Sequence, residues 1–161
     1  MIEFIQCDVT SWSHLRDTFR RFDRVDMVFA NAGISETDEL LEDVTGSDGL
    51  VAEPEYKVLD VNFRAVLNMI KLSYRVMKGQ EEGGSIVLTS SATAYAPERC
   101  LPVYSATKLA VRQASSEDNG ITVPDHNIDL CSLSLLVSFD RCGQHCCETT
   151  SRSTLLRPLQ R

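Results

Sequence analysis

Three residues of this 161-residue chain have types and spacing suited to redox chemistry at a carbinol carbon: Ser91, Tyr104 and Lys108. Tyr104 and Lys108 stand four apart, so on a helix they share one face. An ammonium held near a phenol favours the phenolate and lowers its pKa from about 10. A phenol tuned in this way exchanges a proton with an alcohol or a carbonyl near neutral pH. Ser91 closes the mostly apolar run that starts at Gly84. A strand there presents its last hydroxyl at a carboxyl edge, where open α/β sheets bind ligands. The same Tyr-x-x-x-Lys spacing also occurs on solvated helices, so the surrounding elements must decide between chemistry and surface.

Those elements alternate. Met1 to Val9 reads as a short strand, and Thr10 or Ser11 caps a helix with apolar positions Trp12, Leu15, Phe19 and Phe22. Val25 to Ala30 reads as a buried strand, followed by the turn Asn31-Ala32-Gly33. Residues 35 to 53 carry seven acidic side chains, among them Glu36, Asp38 and Glu39, and read as a solvated loop with a short helix around Asp38 to Val44. Pro54 opens a long helix to about Lys78, with Val58, Val61, Val66, Leu67, Ile70, Leu72 and Tyr74 as its apolar positions. Gly79 and the Gly83-Gly84 pair end it. Ser85 to Ser90 is the next strand, and Pro102 precedes the helix of Tyr104 and Lys108. Strand and helix in alternation predict an α/β fold with a small parallel sheet, a truncated doubly wound arrangement.

The totals narrow the partners. A net charge of −7 argues against nucleic acid or an anionic membrane surface. No apolar run reaches the length of a membrane span, and the first residues lack a basic region followed by an apolar core, so a cytoplasmic protein is expected. Six cysteines are present, and in a reducing compartment they should be thiols. Cys142, His145, Cys146 and Cys147 include both zinc-ligand types. Adjacent Cys146 and Cys147 make an awkward ligand pair and no Cys-x-x-Cys occurs, so no metal site is expected.

With Cys7-Asp8-Val9-Thr10, Asn31-Ala32-Gly33, Val61-Asn62-Phe63, Ser90-Ser91 and Tyr104-Ser105-Ala106-Thr107-Lys108 in this order, the chain resembles the short-chain dehydrogenase/reductase family. The resemblance covers roughly residues 1 to 111. The acidic loop and the segment Pro54 to Asn62 look like a subgroup from filamentous fungi, which points to secondary metabolism. The resemblance implies a Rossmann-like sheet, NAD or NADP as cofactor, and interconversion of a small-molecule alcohol and ketone. It implies Tyr104 as general acid/base, and Lys108 as the cation that activates it and hydrogen-bonds the nicotinamide ribose. It implies Ser91 as the group polarising the substrate carbonyl, and Asn62 as the holder of a relay water. Asp8 would accept from the adenine amino group, and Asn31, Ala32 and Gly33 would pack beside the adenosine ribose. Both features are also read as turn or cap chemistry. The family's pairing of the long helix with the Tyr104 helix across a dimer implies a homo-oligomer.

The ends depart from the family. No Gly-rich phosphate turn occurs in these residues, although the resemblance implies one ahead of the first strand. The expectation is therefore no nicotinamide cofactor binding at micromolar concentration, and direct parallel pairing of residues 2 to 8 with 26 to 30. Ile121-Thr122-Val123 looks like the next family strand, so a partial domain is expected over 1–123. Residues 124–161 resemble nothing familiar, show no steady period and are expected to be a poorly ordered tail. Two functions stay open: an active oxidoreductase of this family, or an inactive fragment or pseudo-enzyme acting through helix-mediated association.

Overall fold

The computed structural model describes residues 2–36, 44–115 and 127–135. Three parallel strands form its sheet: β1 (Met27–Ala30), β2 (Gly84–Ser91) and β3 (Ile128–Leu135), in the order β1-β2-β3. Met27 pairs with Ser85 and Ala30 with Leu88, while Gly84 pairs with Ile128 and Ser91 with Leu135. The α/β class and the parallel sheet are as the alternation predicts.

Helix α1 (Trp12–Phe19) starts at Ser11, whose Oγ accepts from the His14 N–H. It buries Leu15 and packs on the long helix. That helix is composite. A short α2 (Lys57–Leu59) runs into a π-helical turn at Asp60–Arg64 and then α3 (Ala65–Met77). A π-turn accommodates one extra residue, and the hydrophobic periodicity of the sequence does not reveal it. Helix α4 (Pro102–Ala114) has its proline at the first turn, as expected.

Val28, Ala30, Val66, Met77, Ile86, Leu88, Val111 and Ile128 form the core between the sheet and the helices. At the turn into β2, Gly83 takes a φ of 70°, open to glycine at little cost. A Cβ on Gly84 would meet the Met77 side chain at 2.9 Å, so the glycine lets Met77 bury completely. Gln80 holds the entry to β1 as a strand would. Its Oε1 accepts from the Val25 N–H at 2.8 Å, and its Nε2 donates to the Val25 carbonyl at 3.0 Å.

Two expectations are corrected. Residues 2 to 8 are not a strand and do not pair with 26 to 30; β1 pairs with β2 alone among the described residues. Ile2 and Phe4 are 99% and 90% exposed, so a strand there would gain no burial to offset its ordering. Within 124–161, expected to be a poorly ordered tail, the described residues 128–135 form β3. Ile128 is buried and Leu130 is partly buried against the core, and their alternation with Asp129 and Cys131 suits a strand laid on β2. The expected strand at 121–123, the short helix around Asp38 to Val44 and the cluster of Cys142, His145, Cys146 and Cys147 lie wholly or mostly outside the described residues.

Candidate active site

Parallel strands end on one side, and the polar groups singled out in the sequence gather there. β1 ends at Ala30, so Asn31, Ala32 and Gly33 emerge at the carboxyl edge, all three exposed. β2 ends at Ser91, which is 1% exposed. The Ser91 Oγ accepts from the Thr93 N–H at 3.2 Å, which opens a short 3-10 turn at Ala92–Ala94. An acceptor already filled by an amide leaves the hydroxyl hydrogen available for donation.

Tyr104 and Lys108 lie on the buried face of α4, at 5% and 4% exposure. Two bonds fasten this turn of helix to the end of β2. The Ser90 hydroxyl donates to the Lys108 carbonyl at 2.9 Å, and the Lys108 Nζ donates to the Thr89 carbonyl at 2.8 Å. The ammonium sits 5.6 Å from the Tyr104 ring centroid. Burial pushes the Lys108 pKa down from its ordinary value, because a charge removed from water is disfavoured. The structure thus fixes buried Tyr104 and Lys108 against the end of the strand that closes with buried Ser91.

Asn62 joins them from the π-turn and is fully buried. Its Oδ1 accepts from the Ile34 N–H and its Nδ2 donates to the Ile34 carbonyl, both at 2.8 Å. The same Nδ2 reaches the Thr107 Oγ1 at 3.3 Å. The amide therefore clamps the backbone just beyond Gly33 and leaves one acceptor lone pair on Oδ1. A Cβ added to Gly33 would stand 3.4 Å from both Asn62 Oδ1 and Lys108 Nζ. Gly33 thus lies against an amide oxygen and an ammonium, an acceptor and a donor within reach of one small polar group.

The remaining candidates are placed differently. Asn31 Oδ1 accepts from the Thr89 hydroxyl at 3.0 Å, at the rim of the same edge. Asp8 closes a local turn: its Oδ1 accepts from the Thr10 N–H at 2.9 Å and the Thr10 hydroxyl at 2.8 Å. Those two bonds hold its carboxyl pKa below the ordinary value. This geometry matches the turn reading of Asp8.

Two site residues went unread in the sequence. Thr107, 1% exposed, donates to the Tyr104 carbonyl at 2.7 Å while accepting from Asn62, so it ties the π-turn to α4. Its position within Tyr104-Ser105-Ala106-Thr107-Lys108 was the available signal. Glu36 places its carboxylate on the first N–H groups of α4. Nothing local marks it, since its partners are far along the chain.

Comparison with known proteins gives the family and the fold. The family model for short chain dehydrogenase matches residues 1–122, and the chain belongs to that family. The chain is similar to the short-chain dehydrogenase/reductase prx4 of Penicillium rubens, 48% identical over 105 residues, which are 65% of this chain and 32% of that protein. It is 46% identical over 111 residues to the short-chain dehydrogenase/reductase ATR7 of Stachybotrys chlorohalonatus, covering 68% of this chain and 35% of that one. The chain thus spans about a third of the length of these fungal relatives. Among solved structures, "ElxO with NADP Bound" superposes with a TM-score of 0.66 at 26% identity, over 83% of this chain and 52% of that one.

Proposed function

We propose that this chain carries the acid/base half of an NAD(P)-dependent oxidoreductase that interconverts an alcohol and a ketone. The observation behind this reading is the double tether of Lys108 to the end of β2. It supports the reading because it fixes the helix of Tyr104 and Lys108 against the end of the strand that closes with buried Ser91. A bound nicotinamide cofactor supplies or accepts the hydride; the protein orients it and manages the proton.

In the reducing direction the Ser91 hydroxyl donates to the substrate carbonyl oxygen and polarises it. Tyr104 gives its phenolic proton to the same oxygen as the carbinol forms. The Lys108 ammonium stabilises the phenolate that results, and it keeps two N–H donors beyond the one given to the Thr89 carbonyl. Asn62 contributes by holding Ile34 and Thr107 in place, and its spare acceptor can orient a water. Asn31, Ala32 and Gly33 form the rim against which the cofactor's sugar packs.

The substrate is a small carbonyl compound, and a cytoplasmic setting suits the reduced thiols. Association through the outer faces of the long helix and α4 belongs to the same proposal, since Leu67 and Leu109 are 41% and 45% exposed there. The test is turnover of reduced nicotinamide with a panel of ketones at saturating cofactor. Tyr104→Phe keeps the ring's packing and removes the proton donor, so the rate is expected to fall by about 10²–10⁴-fold. A rate unchanged by this substitution removes Tyr104 from the mechanism. Absence of turnover in a chain that binds the cofactor to saturation overturns the oxidoreductase reading.

A further inference from the structure

The first turn of α4 lacks the usual means of capping. Its N-cap residue, Leu101, has no side-chain acceptor, and Pro102 has no N–H. The Ser105 N–H is already bonded to the Leu101 carbonyl at 2.9 Å. The amides of Val103 and Tyr104, in the first turn, have no carbonyl one turn earlier in the helix to bond. Both go to one distant carboxylate: Glu36 Oε1 accepts from the Val103 N–H at 3.2 Å, and Oε2 accepts from the Tyr104 N–H at 2.5 Å. A negative group at this end also meets the positive pole of the helix.

Glu36 is itself fixed from the other side of the site. Two residues earlier, Ile34 is gripped at both its N–H and its carbonyl by Asn62. Asn62 also bonds Thr107, which bonds the Tyr104 carbonyl. Tyr104 is therefore held at its N–H by Glu36 and at its carbonyl by Thr107, and both routes lead back to the buried amide of Asn62. We infer that Glu36 is a positioning residue for Tyr104: it sets the seat of the first turn of α4, and with it the approach of the phenol to Ser91 and Lys108. This inference rests on the oxidoreductase reading for its consequence in turnover, and on the geometry alone for its consequence in structure.

The experiment compares Glu36→Ala and Glu36→Gln with the unaltered chain by three measurements. The first is hydrogen exchange at the Val103 and Tyr104 amides, with Leu88 as a control in β2. The second is the nuclear Overhauser contact between the Tyr104 ring and the Lys108 methylenes. The third is the split of kcat from KM for cofactor. In Glu36→Ala the two amides should exchange about tenfold faster while Leu88 is unchanged, and the Tyr104–Lys108 contact should weaken. kcat should fall about five- to tenfold with KM for cofactor unaltered. Glu36→Gln retains an acceptor oxygen and the packing, so it should recover most of the contact and of kcat. If Glu36→Ala leaves exchange and the Tyr104–Lys108 contact unchanged, the positioning role is wrong. Should the alanine variant fail to fold, the glutamine variant decides: amides protected as in the unaltered chain with a lost Tyr104–Lys108 contact would also overturn it. If the unaltered chain binds the cofactor to saturation and shows no turnover, the oxidoreductase reading fails alone, and exchange together with the ring contact settles the role of Glu36.

Discussion

The two faces of the three-stranded sheet are built from the same strands and differ sharply in cover. Val28, Ala30, Ile86, Leu88 and Ile128 point under the helices and are buried. The alternate residues Met27, Phe29 and Leu133 are 55%, 57% and 53% exposed. A parallel sheet ordinarily has both faces covered, and strands with apolar residues on both sides fit that arrangement. The contrast separates two properties that usually travel together. The side chains suited to chemistry stand at the carboxyl edge and on elements of the covered side, so the candidate site is assembled without help from the open face. Stability and solubility, by contrast, are set by both faces.

The largest expected difference comes from matched truncations. Leu88→Ala on the covered face should lower unfolding free energy by about 2–5 kcal/mol, because a fully buried side chain leaves a cavity. Phe29→Ser on the open face should change it by about 0.5 kcal/mol or less and should reduce self-association at high concentration. Urea unfolding and light scattering of the two variants check this. Equal losses would mean that the open face is covered in solution.

A second variant asks whether the candidate site depends on polar contacts as much as on packing. Asn62→Ala removes the partner of both Ile34 backbone groups, leaving a part-buried donor and acceptor unpaired. A loss of about 2–4 kcal/mol is expected, read in the same unfolding experiment.

Lys108 sharpens the comparison through pH. Its burial places the folded-state pKa below the ordinary 10.5. Below the folded-state value the lysine is charged in both states, and the fold carries the whole cost of burying it. As pH rises from that value toward 10.5 the unfolded chain binds more protons than the fold, so this group makes stability increase with pH. Lys108→Met should flatten that rise, measured as the difference in unfolding free energy between the two proteins across the alkaline range. A parallel pH dependence in both proteins would show that the ammonium is solvated.

The smallest expected effect is at Thr93. Its Oγ1 is buried and has no hydrogen-bond partner among the described residues, next to the amide that serves Ser91. Thr93→Val replaces a hydroxyl that gains nothing there, and should stabilise by about 1 kcal/mol. A loss of stability would reveal a water or ligand bonded to that oxygen.

How far the sequence was legible depended on the range of each interaction. Tyr104 and Lys108 were readable because a helix converts a spacing of four into a shared face. β1, β2 and α4 were readable from apolar runs bounded by glycine and proline. β3 was not, because its alternation at Ile128 to Cys131 is brief and breaks at Ser132, before Leu133. Residues 2 to 8 show the opposite error. Their apolar composition suited a strand, but a strand forms only with a neighbour to pair with. Glu36 looked like one more charge in an acidic loop because its partners at Val103 and Tyr104 are brought near by the fold alone. The π-turn around Asn62 stayed hidden because one extra residue per turn hardly disturbs a long amphipathic pattern.

The parallel register has a kinetic consequence. Met27 meets Ser85 and Gly84 meets Ile128, so no pair of strands can zip up from a hairpin. Each pairing must close a long loop before it gains any ladder bond, which places the chain among the slower folders for its size. Ser91, Asn62 and Tyr104 come from three separate stretches, and they meet only after those loops have closed. A partly folded chain therefore exposes sticky strand edges while holding no assembled site, and aggregation competes with folding during that interval.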